Sequence, residues 1–256
     1  MSKLEIHQFG CLSDNYGFLV HDPDSGQTAC VDTPDAGPTL SALEGKGWSL
    51  THIWNTHWHP DHTGGNEELQ QKTGCRILGP RDESERIPGI QSELVGGSTL
   101  DFGAHPVRVL DVPGHTAGHI AFWLPEDSIA FVGDTLFALG CGRLFEGTAE
   151  QMWTSLGRLT ALPPETVVYC AHEYTQANAR FALSVDPENG DLVERAKEID
   201  AMRAQGIPTV PTTIGAERAT NPFLRADTPA FQRAIGMEGA DPVEVFAETR
   251  KRKDDF

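Results

Sequence analysis

The chain has no C-x-x-C pair. Its five cysteines, Cys11, Cys30, Cys75, Cys141 and Cys170, are odd in number and widely scattered. Neither a disulfide framework nor a zinc ribbon is expected, and a reducing cytoplasm fits this usage better. Missing too is any window near the roughly 18 uncharged apolar residues of a membrane span. The opening residues lack the apolar stretch of a secretory signal and lead straight into a strand. Basic residues are scarce: 20 Lys and Arg stand against 37 Asp and Glu, leaving a net charge of −17. Such an excess of acid opposes a large nucleic-acid footprint, which needs a basic face to release counterions. It does not oppose a small anionic substrate, provided bases gather where that substrate sits. There is no G-x-S-x-G elbow, so a serine-hydrolase route has no support.

What is present is an ordinary globular balance, 39% hydrophobic and 22% charged in 256 residues. That length favours a core domain with a smaller appendage. The first two-thirds reads as short strands between turns. Tyr16 to Val20 and Thr28 to Asp32 flank the turn from Asp22 to Gly26 as a hairpin. A helix is expected from about Thr39 to Glu44, and a buried strand from His52 to Asn55. Asn66 to Thr73 reads as a helix stopped by Gly74. Apolar runs at Val107–Val112, Ile120–Leu124, Ile129–Val132 and Val167–Cys170 add further strands. Thr148 and Gln151 have capping-box spacing and open another helix. From Glu173 onward the period becomes helical, at Thr175–Ser184, Leu192–Ala204, Pro229–Ile235 and Val243–Lys253, with a Pro- and Thr-rich connector over Ile207–Asn221. A layered α/β sandwich with an all-helical C-terminal part follows, the boundary lying near Tyr174.

The densest chemistry sits directly after the His52–Asn55 strand, in His57-Trp58-His59-Pro60-Asp61-His62. Composition alone would give H-x-H-x-D-H in about one chain in a thousand of this length. Alternation puts His57 and His59 on one side, while Asp61 and His62 lie past the Pro60 turn and can face a second ion. Imidazole nitrogen with carboxylate oxygen suits Zn, Fe or Mn better than Ca or Mg. Further candidates stand at other strand ends: His115 after Val109–Val112, Asp134 after Ile129–Gly133, and His172 after Val167–Ala171. His7, His21, His52 and His105 have no partner pattern and read as structural, as does His119.

These motifs resemble the metallo-β-lactamase superfamily: Thr56 through His62, then Gly114-His115-Thr116, Gly133-Asp134-Thr135 and a late His172. Within it the chain is similar over nearly its whole length to glyoxalase II, the hydroxyacylglutathione hydrolases. Leu12 to Tyr16, Gly133 to Phe137, Gly140 to Arg143, Phe145 to Thr148, His172 to Thr175 and Asn221 to Arg225 carry that likeness. The resemblance implies a four-layer αββα catalytic domain over residues 1–173 and a helical substrate-binding domain over 174–256. It implies one metal ion on His57, His59 and His115, a second on Asp61, His62 and His172, and Asp134 bridging both. Zinc is the expected metal, with iron or manganese as alternatives. Asp61 and Asp134 are the expected catalytic carboxylates, acting with a metal-bridged hydroxide.

The implied reaction is hydrolysis of S-(2-hydroxyacyl)glutathione, with S-D-lactoylglutathione as substrate, to glutathione and D-lactate. This is the second step of methylglyoxal detoxification. A thiol of ordinary pKa near 8.5 leaves without much help from a general acid, which suits a thioester. The basic run Arg250-Lys251-Arg252-Lys253 admits two readings. It can be a solvated face favourable to the helix dipole, or Arg250 and Lys253, three apart on one face, can grip a carboxylate. The resemblance favours the second and adds Arg143 and Tyr174 to the glutathione contacts. Phe145 departs from the family, which commonly has tyrosine there; the missing hydroxyl removes a hydrogen bond to the peptide. A monomer with no nucleic-acid or membrane partner is expected. The alternatives are a mononuclear-iron, persulfide dioxygenase-like oxidoreductase and another hydrolase of the same fold.

Overall fold

The computed structural model describes residues 2–256. Backbone contacts divide the chain into two compact units, Met1–Asp111 with Thr116–Gly133, and Val112–His115 with Asp134–Phe256.

The first unit holds two sheets. One runs β1 (Glu5–Cys11), β2 (Asn15–His21), β3 (Thr28–Val31), β4 (His52–Trp54), β5 (Arg76–Pro80) and β6 (Ser92–Leu94) in chain order. Its first three strands pair antiparallel and the rest parallel. The hairpin expected around Asp22–Gly26 is present, closed by Asp22 donating to the Gln27 carbonyl. The other sheet is an antiparallel meander of β7 (Thr99–Phe102), β8 (His105–Asp111), β9 (Ile120–Leu124) and β10 (Ile129–Gly133). Aromatic rings join the two sheets: Trp54 meets Phe102 edge-on at 5.0 Å and stacks on Phe122 at 5.5 Å. On the other face of the first sheet, α1 (Ala36–Lys46) and α3 (Asn66–Thr73) cover Leu19, Ile53 and Ile77, with Leu69 of α3 packed among them, all fully buried. Truncating any one of them to alanine would cost about 2–5 kcal/mol. The α3 helix ends where the sequence says it should, at Gly74 in the left-handed region (φ 72°).

The second unit is mostly helical. Ahead of its helices come the β11 (Leu136–Phe137) and β12 (Gly140–Cys141) hairpin. Next comes α4 (Ala149–Thr160), opened by the expected capping box in which Thr148 and Gln151 exchange side-chain and backbone bonds. After β13 (Val167–Cys170) come α5 (Thr175–Val185) and α6 (Gly190–Ala204), packed through Leu139, Ala182, Leu192 and Ile199. The Pro- and Thr-rich connector is more ordered than its composition suggests. It contains β14 (Thr212–Thr213), paired with β13, and α7 (Ile214–Thr220), started by the Thr213 hydroxyl accepting from Ala216 N–H. So the C-terminal stretch is helical but for that two-residue strand. The last two helices are α8 (Pro229–Ala234) and α9 (Pro242–Asp254), the latter with the Asp241 cap and Pro242 start visible in the sequence. Among the described residues no helix is long and apolar enough to cross a membrane.

Candidate metal centre

In the first unit, β4 delivers Thr56 and His57 from its end, and Pro60 starts the short helix α2 (Pro60–Thr63) that carries Asp61 and His62. His57 and His62 are fully buried. A relay of hydrogen bonds sets their tautomers. His62 Nδ1 lies 2.8 Å from Asp32 Oδ2 and donates to it. Asp32 also accepts from Thr56 N–H and from the Thr56 hydroxyl, each at 2.8 Å. That hydroxyl in turn is the acceptor for His57 Nδ1 at 3.0 Å. With the proton on Nδ1 in both rings, Nε2 is left as a lone pair available to a cation. The His57 Nε2 faces His59 Nδ1 at 3.0 Å, and His62 Nε2 faces Asp61 Oδ2 at 3.5 Å. Asn15 steadies Asp61, its amide 3.1 Å from Oδ2 and 3.2 Å from the backbone carbonyl.

Donor atoms of Asp32, His57 and His62 lie within 4.8 Å of one another. Both Asp32 oxygens are occupied by the bonds just described, so this carboxylate orients ligands rather than binding an ion. Asp32 takes a positive φ of 55° to do so, a conformation that costs a non-glycine residue free energy. No local motif marks Asp32, although it stands at a strand end like the other candidates. His119 stacks on His57 at 4.6 Å and 20°, a packing role. Of the other histidines, His21 stacks on Trp48, and His105 is buried with its Nδ1 2.8 Å from Asp127.

Gly133 closes β10 immediately before Asp134. Its φ is 49°, and a Cβ there would fall 2.5 Å from Thr56 Oγ1 and 2.8 Å from the His119 ring. Only glycine fits.

In the second unit, Asp134 presents one oxygen to each of two imidazoles. Oδ2 is 3.4 Å from His115 Nε2, and Oδ1 is 3.4 Å from His172 Nε2. All three residues are buried. His115 donates from Nδ1 to the Arg143 carbonyl at 2.9 Å, so its Nε2 meets Asp134 with a lone pair. Two lone pairs facing each other repel unless a cation lies between them. Ligands about 2.1 Å from a tetrahedral ion stand about 3.4 Å apart, the separation seen on both sides of Asp134. The donor set therefore fits divalent metal.

Aromatic rings wall this cluster. Tyr174 lies flat on His172, with centroids 4.7 Å apart and planes 2° apart, and Phe137 meets both rings edge-on. Phe145, 62% exposed, sets its ring edge-on to His115 at 5.2 Å. The basic residues of α9 have separate settings. Arg250 is buried, donating from Nη1 to the Cys141 carbonyl and from Nη2 to Asp254, each at 2.9 Å. Lys253 is half-buried over Phe181 and Phe256. Desolvation lowers its pKa first, and the charges of Arg250, Arg143 and Arg180 lower it further. Arg143 is exposed, with Nε 3.7 Å from Asp254. Cys141 is an unsuitable nucleophile: burial pushes its thiol up to about 11.

Residues 18–172 match the family model of the metallo-beta-lactamase superfamily, and residues 173–256 that of the hydroxyacylglutathione hydrolase C-terminus. Solved structures show the same fold. ETHE1 from Myxococcus xanthus matches with a TM-score of 0.67 at 24% identity, covering 96% of each chain. TTHA1623 in a di-iron-bound form matches with a TM-score of 0.63 at 26% identity, covering 86% of this chain and all of that one. The chain is thus an α/β enzyme of the metallo-β-lactamase superfamily. A hydroxyacylglutathione hydrolase from Maricaulis maris (strain MCS10) is 60% identical over 256 residues, spanning the whole of both chains. Within the superfamily, the chain belongs to the hydroxyacylglutathione hydrolase family.

Proposed function

We propose that this enzyme hydrolyses S-(2-hydroxyacyl)glutathione thioesters, S-D-lactoylglutathione among them, releasing glutathione and D-lactate as the second step of methylglyoxal detoxification. What carries the metal-dependent part is the Asp134 carboxylate, with one oxygen aimed at each of two imidazole nitrogens at 3.4 Å. In this reading His57, His59 and His115 would hold one ion, Asp61, His62 and His172 would hold the other, and Asp134 would serve both. A pair of divalent ions so held supplies Lewis acidity towards the thioester carbonyl and a water of lowered pKa. Zinc is the proposed metal, with iron or manganese accepted by the same donors; the di-iron form of TTHA1623 is in keeping with that breadth.

The protein's own groups do the rest. Asp32 and Thr56 keep Nε2 of His57 and His62 deprotonated, and the Arg143 carbonyl does the same for His115. Arg143, Tyr174, Arg250 and Lys253 are proposed to receive the glutathione moiety, with Phe145 offering a ring and no hydroxyl. Desolvation and then the charges of Arg250, Arg143 and Arg180 lower the Lys253 pKa, and that gathering of bases supports an anion-binding role in a chain whose net charge is −17. Residues 1–173 are proposed as the catalytic domain and 174–256 as the substrate-binding domain. We further propose a cytoplasmic monomer with no nucleic-acid or membrane partner; five free, buried cysteines suit a reducing compartment. The match of residues 173–256 to the hydrolase C-terminal family favours this over a single-iron dioxygenase-like reading.

The test is a thioester assay paired with metal analysis on one sample. Metal-loaded protein should turn over S-D-lactoylglutathione, and His59→Ala or Asp134→Ala should abolish turnover. Full metal content without thioesterase activity would refute the substrate assignment.

A further inference from the structure

The short 3-10 helix Arg81–Arg86 follows β5 and has no place in the ligand set, yet two of its side chains grip the loop between β4 and α2. Glu83 is buried at 2% exposure, unusual for a carboxylate unless its oxygens are fully engaged. Its Oε2 accepts from the Trp58 backbone N–H at 2.8 Å, and its Oε1 accepts from the Gly118 backbone N–H at 2.8 Å. Trp58 stands between His57 and His59, and Gly118 stands three residues after His115. On the same helix, the Arg86 guanidinium lies 3.3 Å from the centroid of the Trp58 indole, a cation–π contact. Ile87, buried at 3%, anchors the end of this helix in the core of the first unit. The approach at Gly118 is close: a Cβ there would sit 2.8 Å from Glu83 Cγ and 3.2 Å from Asp82 Cβ.

We infer that Glu83 is a positioning residue for metal binding, a brace that fixes the Trp58 and Gly118 amides and through them the aim of the histidines on either side. The inference rests on the reading of His57 and His59 as ligands. Charge-assisted bonds from a carboxylate to backbone N–H are roughly twice as strong as neutral ones, and here one carboxylate makes two. Glutamine cannot replace it, because its amide nitrogen would face one of the two donors. The Arg86 stack holds the indole from its face while Glu83 holds the backbone, so Trp58 is fixed at both ends of its side chain.

The test measures Zn2+ affinity by competition with a chromogenic chelator, together with kcat, KM and Tm. Glu83→Gln is expected to bind Zn2+ about tenfold more weakly, in the range seen when groups that orient ligands are lost. Its kcat should fall and its KM should stay near that of the parent. Gly118→Ala, which crowds Glu83 from the other side, should shift affinity in the same direction and serves if Glu83→Gln does not fold. Asp127→Asn is the control. It weakens the part-buried contact to His105 in the turn joining β9 to β10, at the opposite strand end from Gly118. That variant should lower Tm and leave Zn2+ affinity unchanged. Parent-like Zn2+ affinity in both Glu83→Gln and Gly118→Ala would overturn the brace, and so would an equal loss in Asp127→Asn. A parent chain that binds no divalent ion would overturn the ligand assignment, and the brace with it.

Discussion

Asp32 and His62, thirty residues apart, meet 2.8 Å from each other as a buried carboxylate and imidazole. Their contact decides which nitrogen of His62 carries the proton. Asp32 also takes both polar hydrogens of Thr56, so one carboxylate sets the state of two rings. Replacing Asp32 by alanine strands those buried donors, at about 1–3 kcal/mol for each group left unsatisfied. Asp32→Asn keeps the shape but offers only one acceptor oxygen. Its metal affinity should fall roughly 10–100-fold, as measured by chelator competition. Unchanged affinity would show that the relay does not control the rings.

Phe145→Tyr should improve the enzyme. The ring already lies exposed and edge-on to His115, so a hydroxyl adds a donor without displacing anything in the core. One recovered hydrogen bond of about 0.5–1.5 kcal/mol corresponds to a KM about 2- to 10-fold lower for the glutathione thioester. The value of kcat should hardly move. Steady-state kinetics on the two proteins will decide.

Lys253 should make substrate affinity sensitive to alkaline pH. Its pKa lies below the ordinary 10.5, because of desolvation and then the neighbouring Arg250, Arg143 and Arg180. A base whose pKa is lowered loses its charge earlier as pH rises. KM should therefore climb on the alkaline side before an ordinary lysine would titrate. Arg180→Ala removes one repelling charge and should move that climb to higher pH. In Lys253→Ala the climb should vanish and KM at neutral pH should be raised, with kcat much less affected. A pH-independent KM in the parent would argue that Lys253 does not touch substrate.

The cysteines should be silent in the folded enzyme. Burial raises the thiols of Cys11 and Cys141 to about 11 and of Cys170 to about 12. Cys30 and Cys75 are raised as well, again chiefly by burial. A pKa near 11 leaves on the order of one thiolate in a thousand at pH 8. A thiol-labelling reagent should modify the native protein slowly, without loss of activity, and should count all five thiols after denaturation. Fast labelling of Cys141 with inactivation would overturn this and mark it as a reactive nucleophile.

Much of this architecture could be read from local signals. The hairpin around Asp22–Gly26, the stop of α3 at Gly74 and the capping box at Thr148 each depend on residues within a few positions of one another. The same is true of the His57–His62 run, whose density stands out against composition. What escaped were partners distant in sequence: Asp32 for His62, Asn15 for Asp61 and Glu83 for Trp58. Nothing in the period of α9 tells that Arg250 faces inward to the Cys141 carbonyl while Lys253 stays half-exposed, because tertiary packing decides which side of a helix is covered. The connector over Ile207–Asn221 looked irregular because Pro and Thr weaken helix propensity, yet a single threonine cap suffices to start α7.

Gly133 bears on redesign. With Thr56 and the His119 ring leaving no room for even one extra carbon, a saturation library at this position should return glycine alone. With position 133 closed to substitution, selection for new acyl groups has to work elsewhere. The exposed ring of Phe145 is an obvious place to start. At the one backbone position directly before Asp134, the enzyme leaves evolution nothing to vary.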